Sequence, residues 1–312
     1  MNNPEIRFIE NKDIDYPKWD LCIDNSPFGI TYAKSWYLDR ICPHWDALVW
    51  GDYLYIMPLV TNRKYGIIYI YQPFFTQQLG VFSVFEVNPE IVNRFLNAVP
   101  LVYRLADIKL NLGNRPTTTS YQYRKNITYH LSLNQKHHEI EKNYNVNTRR
   151  NIQKAKKNEI WISPVYEIPQ FIGFTKSNLR DKSPEITDAH YQALQNVVNY
   201  AVFHHEGELY GAWDSTNNLV AAAFFLNSNR KSIYLAASSN SAGMEQSAMF
   251  LLIDTFIRAN SGQNRVLDFE GSNLPGIARF YAGFGAVPQV YYSAHRNNLP
   301  ALLRIFRSKR KK

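Results

Sequence analysis

A chain of 312 residues, 45% hydrophobic and 14% aromatic, has apolar surface enough for two cores and is excluded from the disordered class. Its formal charge of +9 suits an anionic partner: a nucleotide, a nucleic acid or an acidic membrane surface. Two cysteines, Cys22 and Cys42, give neither a disulfide framework nor a metal spacing, the N-terminus lacks a signal-length apolar core, and no apolar run approaches the ~20 residues of a membrane span, so a soluble, cytoplasmic protein is expected.

In chain order, residues 46–50 and 53–60 read as strands joined by a hairpin at Gly51-Asp52, and 66–71 as a further strand. A loop over 72–80 carries Phe74, Phe75 and Gln78 just after Tyr71. Asn88-Pro89-Glu90 is a helix start, with a capping amide, a proline in the first turn and an acid near the positive end of the helix. That helix ends near Pro100. Residues 105–112 return as a strand, and 123–133 alternate with Ile127, Tyr129, Leu131 and Leu133 on one face.

The polar stretch 134–158 is expected to be a helical connector containing Arg149, Arg150, Lys154, Lys156 and Lys157. Beyond it, the first pattern recurs. Residues 208–214 and 219–226 are strands joined at Asn217-Asn218, and 232–238 is a third. The spacing predicts one long helix over 243–260, with Met244, Ala248, Leu251, Leu252, Thr255, Phe256 and Ala259 on one face. Residues 266–270 return as a strand. A helix of one to two turns carries Arg279, Phe280 and Tyr281, stops at Gly283 and Gly285, and leads into a last strand.

The stretch 267–292 resembles the C-terminal part of the GNAT superfamily of acyl-CoA-dependent N-acetyltransferases. The resemblance lies in Asn273 in its loop, the Arg279-Phe280-Tyr281 triplet, the Gly283-Phe284-Gly285 turn and the closing strand. With Asp268-Phe269-Glu270-Gly271 before it and Arg149-Arg150-Asn151-Ile152-Gln153-Lys154-Ala155 in the connector, the chain looks most like the Fem branch, the peptidoglycan aminoacyl-transferase-like proteins. The resemblance implies an α/β fold of two tandem GNAT-like domains, each a mixed β-sheet flanked by helices. The expected boundaries are 1–133, a basic connector 134–158, and a donor-binding domain 159–312. The long helical arm of some Fem proteins has no counterpart here.

The resemblance also assigns roles. Tyr281 takes the position of the GNAT tyrosine that protonates the leaving group; a tyrosine on an amphipathic helix otherwise simply packs. Asp268 and Glu270, two apart on a strand, are expected to share a face and to help deprotonate an amine, unless they serve only as caps or ion pairs. Backbone groups of Ala236, Ala237 and Ser238 are placed beside the donor, and Asn273 orients it. The loop with Ser241, Gly243 and Met244 stands where GNAT enzymes cradle a pyrophosphate. Here it keeps Gly243 but lacks the arginine and the second glycine, and otherwise reads as a serine-rich cap. Tyr71, Phe74, Phe75 and Gln78 are taken as an aromatic wall for the acceptor, in a cleft between the domains.

The expected function is N-acyl transfer by direct attack of an amine on an activated donor, with acetyl-CoA or another acyl-CoA as cofactor and a small-molecule or peptide amine as acceptor. One alternative is an aminoacyl-tRNA-dependent transferase acting on a cell-wall precursor. A second is a binding protein that keeps the fold without the chemistry. Arg149, Arg150, Lys154 and the C-terminal basic tail (Arg304, Arg307, Lys309, Arg310, Lys311, Lys312) offer contacts to tRNA or an anionic membrane; charge runs otherwise form solvated faces. No metal is expected, because the adjacent histidines His137-His138 and His204-His205 diverge on a helix or a strand.

Overall fold

The computed structural model describes residues 5–42, 44–180, 183–228, 230–271 and 274–300. By internal contacts the chain forms two units. One runs to Asn126 and resumes at Val290; the other is Ile127–Gln289.

The first unit opens with β1 (Arg7–Ile9), α1 (Tyr16–Asn25) and α2 (Ser35–Ile41). Asp15 caps α1 by accepting the Lys18 N–H, with proline in the first turn. β2 (Trp45–Trp50) and β3 (Tyr55–Lys64) form the expected hairpin, and β4 (Ile67–Ile70) follows. A two-residue β5 (Phe82–Ser83) pairs with β3. α3 (Pro89–Ala98) is capped by the Asn88 side chain as read from the sequence, and it crosses over so that β6 (Leu105–Lys109) lies parallel to β4. Met57, Leu59, Ile70, Phe95, Leu96 and Ile108 build the core beneath α3. Then comes β7 (Gln122–Ser132).

The second unit holds α4 (His137–Lys142), α5 (Val146–Lys157), β8 (Trp161–Pro164), α6 (Ile168–Leu179) and α7 (Asp188–Phe203). A meander follows: β9 (Gly207–Trp213), β10 (Leu219–Asn227) and β11 (Lys231–Ser239). Asp214 shapes the β9–β10 turn by accepting backbone N–H groups of Thr216 and Asn218, and Asn217 there is left-handed at φ 61°. The chain continues through α8 (Ser241–Glu245), α9 (Ala248–Asn260), β12 (Val266–Asp268), α10 (Pro275–Ala282) and β13 (Val287–Asn297). β8 to β11 are antiparallel neighbours, β12 is parallel to β11, and β7 lies antiparallel on β12.

Each unit is therefore an antiparallel meander, a helical crossover, a parallel return strand and one further antiparallel strand. The last strand comes from elsewhere in the chain. β13 closes the first unit's sheet on β6, and β7 closes the second unit's sheet on β12. The division thus differs from the sequence reading of 1–133 and 159–312, because pairing across a sheet is not set by chain order. The stretch 134–158 is two helices of the second unit. Thr148, Ile152 and Ala155 on α5 are buried, and α5 packs on α9.

The single helix expected over 243–260 is broken. Ser247 takes a left-handed backbone at φ 61° and donates its hydroxyl to Asn151 Oδ1 at 2.9 Å, separating α8 from α9. Met244 thereby leaves the apolar face and is 57% exposed. Ala259 is exposed too, while Ile253, Ile257, Asp254 and Asn260 are buried. The core of this unit centres on Phe256 of α9, stacked on Phe225 of β10 with centroids 3.6 Å apart and planes within 5°; Tyr210 meets both rings edge-on.

Phe256→Ala is expected to lower stability by about 3–5 kcal/mol, since a fully buried ring is lost and a cavity remains. Urea unfolding followed by circular dichroism measures this; a loss below about 1 kcal/mol would contradict the placement of Phe256 at the centre of the core.

Candidate active site

β11 and β12 run together for three parallel pairs, Lys231 with Val266, Ser232 with Leu267 and Ile233 with Asp268. β12 then stops, while β11 continues to Ser239. The strands part at their carboxyl ends, the position where open α/β sheets take ligands. On the opposite side of β11 the register against β10 shifts: Phe225 faces Tyr234 and Phe224 faces Ala236, so Leu235 is the extra residue of a β-bulge. Backbone groups beyond Ile233 on this edge of β11 are thus left by β12, and the bulge re-aims them. Ala236 and Ser238 are buried and Ala237 half-buried; the Ser238 hydroxyl points to Thr175 Oγ1 of α6 at 3.4 Å.

Asp268 ends β12 and is 2% exposed. Its Oδ1 accepts from Thr128 Oγ1 at 2.6 Å and from the Glu270 N–H at 2.9 Å. Its Oδ2 faces His130 Nε2 at 3.0 Å and Lys231 Nζ at 3.3 Å. Burial pushes the carboxyl pKa up, but the Lys231 ammonium, His130 and the Thr128 hydroxyl outweigh it and hold the group well below the usual carboxylate range. Asp268 is therefore an ionised, fully engaged anchor for β7, β11 and β12.

Glu270 is its opposite. The expectation that both carboxylates share one strand face does not hold, because the strand ends at Asp268 and Glu270 has φ 60°. A left-handed residue breaks the two-residue alternation. The residue is half-buried, yet its Oε1 is sealed from solvent and, among the described residues, meets no hydrogen-bond partner. Burial raises its pKa to about 8, so at neutral pH it is mostly protonated.

Tyr281 comes from α10, which starts at Pro275 and ends at the glycine stop. Its ring stacks on Phe269 with centroids 4.9 Å apart; Tyr129, Tyr234 and Phe280 surround it at 6.1, 6.2 and 5.7 Å. Burial is the main reason that its pKa lies above the ordinary phenol value, and the negative charges of Glu270 and Asp268 add to it. The phenol keeps its proton across the physiological range. Gly283 is required where it stands: a Cβ there would meet Thr148 Oγ1 of α5 at 2.4 Å, and its carbonyl accepts the Asn145 N–H at 2.9 Å. The connector helices hold the end of α10 in place.

At α8, Asn240 Oδ1 accepts the Gly243 N–H at 2.8 Å. A Cβ on Gly243 would sit 2.1 Å from the Val220 carbonyl, so the glycine is needed for packing on β10 rather than for the approach of a phosphate. Ser241 and Met244 are exposed beside it. Asn273 and the basic residues from Arg304 onward lie outside the described residues.

In the first unit, Tyr71 is half-buried and meets Tyr69 edge-on at 6.0 Å. Phe74 and Phe75 are half-buried, and the Phe75 carbonyl accepts the Tyr37 hydroxyl. Gln78 does not fit the expected wall. It is 1% exposed, donates to Gln77 Oε1, and is followed by Leu79 bridging to Leu110, so this part of the loop is packed inside the unit. α5 presents Arg149, Arg150, Lys154, Lys156 and Lys157, all exposed, and contains no acid. Arg149 is partly held by the Lys142 carbonyl at 2.7 Å.

Sequence reading missed Thr128, His130 and Lys231, the partners of Asp268, and the ring cluster of Tyr129, Tyr234 and Phe269. The available signal was the polar pair Thr128 and His130 alternating with the apolar face of β7. Among the described residues no cluster of three or more His, Cys, Asp or Glu can hold a metal, and no helix is long and apolar enough to cross a membrane.

No family model and no curated protein matches this sequence. Solved structures do match. FemX superposes with a TM-score of 0.66 over 96% of this chain and 99% of its own, at 12% identity. A conserved protein of unknown function from Bacteroides thetaiotaomicron gives 0.58 over 94% and 99%, at 9% identity. L-PGS from Bacillus licheniformis gives 0.54 over 95% and 96%, at 11% identity. These likenesses are of fold: the chain has the mixed α/β architecture of FemX over nearly its whole length, as the resemblance of 267–292 implied.

The raised Glu270 pKa has a stability consequence of definite sign. The native state holds a proton that the unfolded chain releases near its ordinary value of 4.5, so Glu270 lowers stability as pH rises from about 4.5 to about 8, by up to about 1.4 kcal/mol per pH unit. Glu270→Gln is expected to abolish that slope and to be the more stable protein at pH 8. Urea midpoints at pH 5, 6, 7 and 8 test it; parallel wild-type and variant curves would refute a buried, protonated Glu270.

Proposed function

We propose that this chain is a transferase that moves an acyl or aminoacyl group from an activated ester or thioester to an amine, by direct attack and without a covalent enzyme intermediate. The observation that carries the reading is a proton-holding phenol, Tyr281, stacked on Phe269, with the sealed carboxyl of Glu270 next in the chain just past the end of β12. The FemX-like fold supports it at the level of architecture.

In this reading the amine nitrogen attacks the donor carbonyl carbon, and the carbon–oxygen or carbon–sulfur bond breaks. Backbone N–H groups of Leu235 to Ala237 at the bulge receive the oxyanion. Glu270, once ionised, takes the proton that the amine loses, and Tyr281 gives its proton to the leaving atom. Exchange with solvent restores both groups. Asp268 acts as a positioning residue, since all its acceptor capacity is directed to β7, β11 and the Glu270 backbone.

Three observations favour an aminoacyl-tRNA donor and a cell-wall precursor acceptor over acetyl-CoA or another acyl-CoA. The Gly243 N–H is already taken by Asn240, which weakens a pyrophosphate cradle at α8. Every charged residue on the exposed face of α5 is basic, which suits a polyanion. A phenol that is unusually reluctant to ionise is matched to an alkoxide leaving group better than to a thiolate, whose conjugate acid has a pKa of about 8.5.

Tyr281→Phe is expected to lower kcat by about 10²–10⁴ while donor affinity stays within about twofold. Wild-type turnover in that variant would remove the phenol from the mechanism. The rate should rise with pH to a plateau above about pH 8 as Glu270 ionises, and that rise should vanish in Glu270→Gln. Binding of aminoacyl-tRNA should weaken steeply with added salt. A thermal shift with acetyl-CoA and none with aminoacyl-tRNA would reverse the choice of donor.

A further inference from the structure

The first unit has a parting pair of parallel strands of its own. β4 and β6 set Tyr69 against Leu105 and Ile70 against Ala106, and a last parallel bridge joins Leu79 to Leu110. Beyond that bridge the two stretches separate: 81–87 leads to α3, and 111–115 leaves the sheet. A cavity of about 390 Å³ opens there, past the carboxyl ends of a parallel pair, and is of the size that takes a small ligand.

The walls of the cavity are held from behind. Asn114 brackets the Val81 backbone, accepting its N–H at 2.8 Å and donating to its carbonyl at 3.0 Å, and Asn111 donates to the same carbonyl at 2.8 Å. Both amides are buried. Ser83, also buried, accepts the Phe85 N–H at 3.0 Å. Two rings of the lining are exposed yet packed. Phe28 is 49% exposed, and a Cβ on Gly113 would meet its Cδ2 at 2.3 Å. Phe85 is 52% exposed, with its ring 6.1 Å from that of Tyr55, which stacks on Trp50. Apolar rings fixed toward solvent around one cavity mark a surface that a ligand covers.

Two opposite charges, Glu86 and Arg115, share this lining. Among the described residues neither forms an ion pair, with the other or with any third group. Arg115 directs one nitrogen to the Val290 carbonyl at 3.5 Å and rests over the Tyr292 ring at 5.6 Å, which leaves most of its fork for a carboxylate.

We propose that this cavity binds a free amino acid with an apolar side chain. The carboxylate of the ligand takes Arg115, its ammonium takes Glu86, and its side chain lies against Phe28 and Phe85. A molecule with one charge leaves the other residue unpaired, and a peptide carries its two terminal charges on different residues, so the zwitterion is the class that matches the lining. The site lies wholly in the first unit and is independent of the chemistry assigned to Tyr281 and Glu270.

The test is calorimetric titration of the full chain with L-phenylalanine, 3-phenylpropionate and phenethylamine, repeated on Arg115→Gln and Glu86→Gln. L-Phenylalanine should bind with a Kd below about 10 mM, and each single-charge analogue about tenfold more weakly, because each lacks one charge-assisted contact. Arg115→Gln should weaken L-phenylalanine about tenfold and leave phenethylamine unchanged, while Glu86→Gln should weaken L-phenylalanine about as much and leave 3-phenylpropionate unchanged. Both positions are exposed, so both variants should melt within about 2 °C of wild type. Absence of L-phenylalanine binding, an analogue that binds as tightly as L-phenylalanine, or an affinity unaltered in either variant would overturn the site. Tighter binding of the dipeptide phenylalanyl-glycine than of L-phenylalanine would overturn it too, in favour of a peptide.

Discussion

The carboxylate of Asp268 ties three strands together at the point where two of them separate. Thr128 and His130 approach it from β7 and Lys231 from β11, while its own β12 ends there. An ionised carboxylate that deep is tolerated because a hydroxyl, a backbone N–H and an ammonium bond it and a histidine ring lies against it. Its position therefore fixes both the register of the parallel pair and the start of the opening beyond it.

One consequence is that two acids, two residues apart, are driven to opposite states. Asp268 is held charged by its partners. Glu270, past the end of the strand and turned by a left-handed backbone, has no such partners and is held neutral by burial. Divergent environments for neighbouring carboxyls are the usual way a protein separates a structural or electrostatic role from a proton-transferring one. Burial likewise keeps the Tyr281 hydroxyl protonated.

The aromatic packing around Tyr281 depends in turn on the helices that precede β8. Asp254, buried on α9, receives His137 Nε2 at 2.8 Å and the Tyr144 hydroxyl at 3.2 Å, pinning the stretch around α4 to the core. Tyr144 meets Phe284 edge-on, and Asn145 holds the Gly283 carbonyl. A segment that reads as a polar connector is thus part of the scaffold of α10. Only the outward side of α5 remains polar and basic, because its inward side is buried against α9.

By itself the sequence determined the element types within 46–158 and from 208 onward, the repeated strand–helix–strand pattern, the cap at Asn88 and the Asn217 turn, and the motif of 267–292 that contains Tyr281. Each of these follows from local chemistry: side-chain period, capping groups, and residues that tolerate unusual backbone angles. Tertiary structure alone decided which strand closes each sheet, that Gly243 serves packing, that Gln78 is interior, and that Asp268 and Glu270 part company. Those outcomes depend on groups far apart in the chain. His130 and Lys231 flank Asp268 at sequence distances that no periodicity relates, and burial, which sets the protonation of Glu270 and Tyr281, belongs to the packed molecule and not to any stretch of it.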